Sequence, residues 1–296
     1  TGFPPCAFRF SGLPARPVAE PPPSLPAREP EPELPIQELS DTVLYEFLLA
    51  EIAAQRGNVG LAAQAYADLA KRTRDPRIAR RATEIAVFAR MGNAAIESAR
   101  VWHETEPKSQ RPLQALSGLL VSAGRFDEAL PYTRKLLAAA GRGTGEGFMQ
   151  LNRTLASAKD KSAALVMVQR LTQEYPQLPQ ARYALAQAAA NADQRELALE
   201  EIRRAQELKP DWDAAVLLEA QLLQPGSSSG TAALERLSRY LQRYPNSREV
   251  RLAYARVLVA DRRYAEARSE FQKLLADFSA NTEVIYAVAL LSLQLS

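Results

Sequence analysis

Residues 179–210 read PQARYALAQAAANADQRELALEEIRRAQELKP. Leu185, Ala186 and Ala189, then Leu197, Ala198, Ile202 and Ala205, recur at helical spacing. Between the two runs, Asn191-Ala192-Asp193-Gln194 breaks the period and supplies turn chemistry. Pro210 ends the second run, because proline restricts the residue before it and has no N–H to continue a helix. The stretch therefore predicts a helix hairpin. Small residues at Ala186, Ala198 and Ala205 let helix backbones approach closely, and Leu185 and Ile202 fill the space between them.

The hairpin repeats. Pro176, Pro210 and Pro245 fall 34 and 35 residues apart. Ala164, Ala198, Ala233 and Ala267 recur at the same period. Val168, Ile202, Leu237 and Phe271 follow each alanine by four, and Leu171, Ala205, Tyr240 and Leu274 by seven. A single hairpin cannot bury its apolar face alone, so a period of this length predicts stacked units. Units fall near 43–76, 77–109, 110–143, 144–177, 178–211, 212–246 and 247–280, with an eighth first helix from about 281. Two units depart from the pattern. The second, around Met91-Gly92-Asn93, reads about one residue out of register. The sixth carries a longer, looser turn at Pro225-Gly226-Ser227-Ser228-Ser229-Gly230.

The pattern resembles the tetratricopeptide repeat (TPR). Gly124-Arg125-Phe126-Asp127-Glu128-Ala129 matches its turn and second-helix start, as do Arg263-Tyr264-Ala265-Glu266-Ala267 with Phe271. Gly57 with Ala62, Tyr66 and Leu69 fits as well. The resemblance covers roughly 240 of the 296 residues. It implies an all-α, right-handed superhelix of TPR hairpins over residues 41–296, about seven repeats and a partial eighth. Residues 1–40 precede it as a linker.

That linker concentrates proline: eleven of the chain's twenty lie within residues 1–35. Such a segment is expected to be extended and largely disordered, either a semi-rigid tether or a docking peptide for a proline-reading module. The chain opens on Thr1 with no evident targeting segment and reads as an excised or processed piece. Cys6 is the sole cysteine, which excludes an internal disulfide. It follows Phe3-Pro4-Pro5 without the upstream apolar run a lipidation cysteine needs. No apolar run reaches the roughly 18 residues of a membrane span.

Catalytic ingredients are scarce. The single histidine, His103, and the single cysteine lie far apart, which leaves no Cys–His pair and no histidine-rich metal site. The glycine-rich run Gly141-Arg142-Gly143-Thr144-Gly145-Glu146-Gly147 lacks the Gly-Lys-Ser/Thr of a phosphate loop and reads as a flexible break between units. Glu200-Glu201 reads as a pair of helix-surface acids. The expectation is a non-enzyme with no cofactor, no metal and no catalytic residue. A net charge of +3 mixed in sign along the helices gives no reason to expect nucleic acid.

The strongest basic cluster, Lys71 to Arg81, holds six basic residues and one acid. Arg74, Arg77, Arg80 and Arg81 read either as a solvated face, with Glu84 as a partner, or as a docking patch for an acidic protein or anionic headgroups.

TPR proteins bind ligands along their first helices. Placed in the repeat register, that surface carries Phe47, Gln114, Met149, Tyr183, Leu217 and Leu252. Four residues on run Glu51, Gly118, Arg153, Gln187, Gln221 and Arg256. An apolar row with a polar and basic edge suits extended or unfolded polypeptide. The same spacing also fits side chains buried between helices. The resemblance argues against one specific use of such a row. TPR domains that hold acidic chaperone tails carry a Lys/Asn/Lys/Arg clamp here, and Gln114/Gly118, Met149/Arg153 and Tyr183/Gln187 do not reproduce it.

Two stretches, Leu44 to Asn58 and Tyr66 to Ala82, are similar to the first repeats of proteobacterial TPR outer-membrane lipoproteins. That group includes an adaptor of a periplasmic carboxyl-terminal processing protease. The resemblance implies a periplasmic, lipid-anchored scaffold that brings this protease to protein substrates such as cell-wall hydrolases. The chain itself shows no anchor. Two other readings remain open: a cytosolic TPR regulatory module, and an assembly factor of an envelope machine such as pili or secretion.

Overall fold

The computed structural model describes residues 40–224, 230–277 and 282–295. The linker at 1–40, except Ser40, and most of the sixth unit's turn (225–229) lie outside the described residues. The described elements are α1 (Asp41–Gln55), α2 (Val59–Thr73), α3 (Pro76–Phe88), α4 (Gly92–Thr105), α5 (Gln110–Ser122), α6 (Phe126–Ala139), α7 (Thr144–Leu155), α8 (Lys161–Thr172), α9 (Pro179–Asn191), α10 (Arg195–Leu208), α11 (Asp213–Leu222), α12 (Thr231–Arg243), α13 (Arg248–Ala260), α14 (Tyr264–Asp277) and α15 (Thr282–Gln294). No strand occurs among the described residues.

Odd-numbered helices are the first helices of each unit and even-numbered ones the second. First helices from α5 to α13 pack side by side, and each second helix also packs on the first helix of the following unit. The hairpin pairs are close throughout except for α7 and α8, which make little backbone contact with each other. There α7 leans on α5, α6 and α9, and α8 on α6 and α9.

Local chemistry sets the helix ends. Ser40, Asn58, Asp75, Asp160 and Ser247 accept a hydrogen bond from a first-turn N–H at helix starts. Five of the hairpin turns share one stop signal. Gly57, Arg90, Gly124, Asp193 and Arg262 all have positive φ. The N–H of the next residue in each case reaches back five residues to a carbonyl, as Asn58 N does to Ala53 O and Gln194 N to Ala189 O. This is the left-handed helix termination that glycine adopts most readily.

That motif corrects the reading of the second unit. Its left-handed residue is Arg90, not Gly92, which begins α4. The backbone is in register, and the glycine alone is displaced. A second correction concerns Gly141–Gly147. Residues 141–143 form one 3₁₀ turn, and Gly145 and Gly147 lie in the first turn of α7. A β-carbon on Gly145 would meet the Gln180 side chain at 2.8 Å, and one on Gly147 would meet Leu137 Cδ2 at 2.8 Å. The glycines serve close helix packing there, not flexibility.

The alanine column is the core of the array. Ala62, Ala95, Ala129, Ala164, Ala198, Ala233 and Ala267, one in each second helix, are all buried. The position four residues on is equally enclosed, from Tyr66 through Val168, Ile202 and Leu237 to Phe271.

Two outcomes follow from this packing. Ala198→Leu or Ala233→Leu forces a larger side chain into a closed helix contact, and thermal or urea unfolding should show a loss of about 1–3 kcal/mol. Arg90→Gly relieves a side chain held in left-handed backbone, and the same experiment should show a gain of roughly 0.5–1 kcal/mol.

Candidate functional site

The first-helix row takes a definite form in the structure. Met149, Tyr183, Leu217 and Leu252, on α7, α9, α11 and α13, are each half-buried. They are neither core residues nor free surface residues. Tyr183 lies against Trp212 with ring centroids 4.9 Å apart, and Lys209 Nζ sits 5.5 Å from the Trp212 ring on another side. Burial raises the Tyr183 hydroxyl above the ordinary tyrosine range. Phe47 and Gln114, earlier in the row, are exposed, with Phe47 edge-on to Tyr66 at 6.1 Å. The apolar part of the row is therefore continuous only from α7 onward.

The row extends further than its sequence reading. A groove of about 450 Å³ opens between α13, α14 and α15. Val259, Tyr264, Tyr286 and Leu290 line it, with Arg256 and Glu283 joined by an ion pair at its rim. Tyr286 and Leu290 follow Leu252 and Arg256 by one period, so repeat spacing alone would have placed them in the row.

The flanking polar residues are mostly engaged. Arg153 donates to Glu146 at 2.7 Å and to Gln150. Glu51 accepts from the Tyr66 hydroxyl and faces Arg81 at 3.6 Å. Gln187 is half-buried and Gln221 exposed. These surface pairs hold little energy, so an incoming ligand can displace them.

The basic cluster is charge-compensated. Arg74, Arg77, Arg80 and Arg81 are exposed, and each faces an acid: Glu104 at 2.7 Å, Asp75 at 2.6 Å, Glu84 at 2.8 Å and Glu51 at 3.6 Å. Burial would push the Asp75 carboxyl up, but hydrogen bonds from Arg77 outweigh it and hold the group below its usual range.

Glu200 and Glu201 divide, which corrects their reading as two surface acids. Glu200 is exposed, but Glu201 is only 3% exposed. Arg182 explains the burial: it donates to Glu201 at 2.9 Å and to the carbonyl of Pro176 at 3.1 Å. Arg251 repeats the arrangement with Glu270 at 2.6 Å and the Pro245 carbonyl at 2.5 Å. In both cases the acid follows the arginine by 19 residues and the proline precedes it by six. One guanidinium thus ties a first helix to its own second helix and to the end of the preceding unit. A second buried acid, Glu219, joins α10, α11 and α12 by accepting from Gln206 at 2.9 Å and Arg236 at 2.5 Å. The 19-residue Arg–Glu spacing was available in the sequence as a signal. The burial was not.

His103 is half-buried, edge-on to Tyr132 at 5.7 Å, and its Nδ1 is enclosed without a hydrogen-bond partner. Burial and the nearby Lys135 depress its pKa, with Glu104 opposing. Among the described residues no group of three or more His, Cys, Asp or Glu side chains is placed to hold a metal ion. No described helix is long and apolar enough to cross a membrane.

Residues 228–291 match the tetratricopeptide repeat family model. The described helices form a tetratricopeptide-repeat solenoid. The TPR repeat-containing protein PA4667 of Pseudomonas aeruginosa is 30% identical over 220 residues. That match takes in 73% of this chain and 36% of the relative, so the chain spans about a third of that protein's length. Two solved structures are similar at low identity. The C-terminal part of a TPR repeat-containing protein from Cytophaga hutchinsonii is 14% identical, with 82% of this chain and 99% of that one covered and a TM-score of 0.44. A thermophilic TPR protein of Thermus thermophilus is 21% identical, with 62% and 98% covered and a TM-score of 0.43.

Two measurements probe these side chains. Arg251→Ala leaves Glu270, whose side chain is 13% exposed, with Lys273 as its remaining partner, and chemical denaturation should show a loss of about 1–3 kcal/mol. A lowered histidine pKa means that protons bind the unfolded chain first. Stability should therefore fall as pH drops below the unfolded histidine value of about 6.5. His103→Ala should flatten that part of the stability–pH curve.

Proposed function

We propose that the solenoid is a non-catalytic scaffold that holds extended or partly unfolded polypeptide along its first helices. The observation that carries this reading is the row of half-buried apolar side chains on four successive first helices, Met149, Tyr183, Leu217 and Leu252. Contacts made there accumulate over a path, and no deep pocket is needed. Arg153 and Arg256 at the edge present guanidinium donors to main-chain carbonyls or acidic side chains. The finer proposal is a periplasmic adaptor, anchored to the outer membrane in its full-length form, that brings a carboxyl-terminal processing protease and its protein substrates together. Its support is the similarity of residues 44–58 and 66–82 to such lipoproteins. An adaptor of this kind contributes effective concentration instead of chemistry.

The row is tested with reduced, carboxymethylated α-lactalbumin, a permanently unfolded probe. Tyr183→Ala combined with Leu252→Ala should weaken its binding by about tenfold or more, while helicity by circular dichroism holds. Unchanged affinity removes the row from the account. The adaptor role is tested separately by affinity capture from the native host's envelope fraction, read by mass spectrometry. It requires a carboxyl-terminal processing protease among the captured proteins. Exclusively cytosolic partners would contradict it.

A further inference from the structure

The middle of the first-helix row carries polar chemistry that apolar contact alone leaves unused. Tyr183 on α9 and Trp212, the N-cap residue of α11, have their ring centroids 4.9 Å apart. Both rings pack against the buried cluster of Ala186, Ile202, Ala205, Ala215 and Leu218, and both stay half-exposed. The Tyr183 hydroxyl and the Trp212 indole N–H make no hydrogen bond among the described residues, and neither atom is sealed from solvent. Tyrosine and tryptophan packed this far into a protein ordinarily give these groups a partner. Lys209, whose Nζ lies 5.5 Å from the Trp212 ring centroid, makes no ion pair among the described residues. Two uncommitted hydrogen-bond donors and one uncommitted ammonium therefore border a single aromatic platform.

We propose that this platform reads proline in a polyproline II segment, so that the row selects acidic, proline-containing chains; the inference rests on the reading of the row given above. Three observations select this ligand. First, the spacing fits. Met149, Tyr183, Leu217 and Leu252 stand on first helices that pack side by side, and packed helix axes lie about 8–10 Å apart. A polyproline II chain repeats its face every third residue, at roughly 9.3 Å, so one side chain per turn meets one helix. A β-strand repeats its face at roughly 6.6–6.8 Å and drifts out of step. Second, the donors fit. An indole N–H and an ammonium only donate, and a polyproline II chain leaves every carbonyl free to accept while each proline removes an N–H. An α-helix keeps its carbonyls in its own ladder and has none to offer. Aromatic surfaces with such donors are how folded proteins commonly take proline-rich segments. Third, the charge fits. Lys209 borders the platform, and Arg153 and Arg256 at the row's edge hold their acids only through exposed pairs. A carboxylate next to a bound proline meets Lys209 without breaking an existing ion pair.

The test uses the whole 296-residue chain and two labelled peptides of one composition, read by fluorescence anisotropy. In the first, Leu-Pro-Glu is repeated five times, which places leucine at every third position. The second, LPLELPLELPEPEPE, places the same leucines at alternate positions. The wild type should bind the first peptide about tenfold or more tightly than the second. Tyr183→Phe combined with Trp212→Phe keeps both aromatic surfaces and removes both donors. It should weaken binding of the first peptide by about fivefold or more, with helicity by circular dichroism unchanged. Equal affinity for the two peptides overturns the polyproline II register. Unchanged affinity in the double variant overturns the assignment to the aromatic pair. Reduced, carboxymethylated α-lactalbumin separates this inference from the reading beneath it. If that probe binds and the first peptide does not, the proline preference fails and the row stands. If neither binds, both fail.

Discussion

The close approach of helix backbones at the alanine column is the constraint on which the rest of the structure depends. Each second helix contributes one alanine at the same place, from Ala62 to Ala267, and all of them are buried. The small side chain fixes the distance between the helices of a unit and between that unit and the next. With that distance set, residues four and seven positions on, such as Ile202 and Tyr240, have defined gaps to fill, and the first helices are brought side by side. Their outward positions then fall into a row. The candidate binding surface is thus a consequence of packing and requires no separate construction. Few terms in the fold are as sensitive to one methylene as this one.

A second layer of control is polar. Buried acids are costly unless they are paired and hydrogen-bonded. Glu201 and Glu219 are buried, Glu270 is half-buried, and each is met by an arginine. Arg182 and Arg251 also reach the carbonyls of Pro176 and Pro245, which have no helical partner. These links join three segments at once, so they fix how one unit sits on the next. The alanines set distance, and the arginines set register between neighbours.

The hairpin boundaries, the alanine column and the apolar row were legible in the sequence because each depends on spacing. The prolines mark unit ends, and Ala198 with Ile202 and Ala205 marks a buried stripe. Features that depend on which side of a helix faces a neighbour were less accessible. Glu200 and Glu201 are adjacent in sequence and opposite in environment. Arg90 and Arg262 take a left-handed conformation that glycine would announce and arginine conceals. Gly145 and Gly147 looked like loop residues because glycine signals both turns and close packing, and only the neighbours Gln180 and Leu137 separate the two. The basic cluster was legible as charge, but its compensation by Glu51 and Glu104, on other helices, was not.

The central claim is that the first-helix face, and not the exposed face of the second helices, receives polypeptide. Site-specific photo-cross-linking decides it most directly. A benzophenone side chain placed singly at Met149, Leu217 or Tyr286, and at the exposed second-helix positions Arg203 or Arg239, would be irradiated in the native host. Adducts to protein partners from the first three positions, and none from the last two, are the predicted result. Adducts confined to Arg203 and Arg239 would contradict the account.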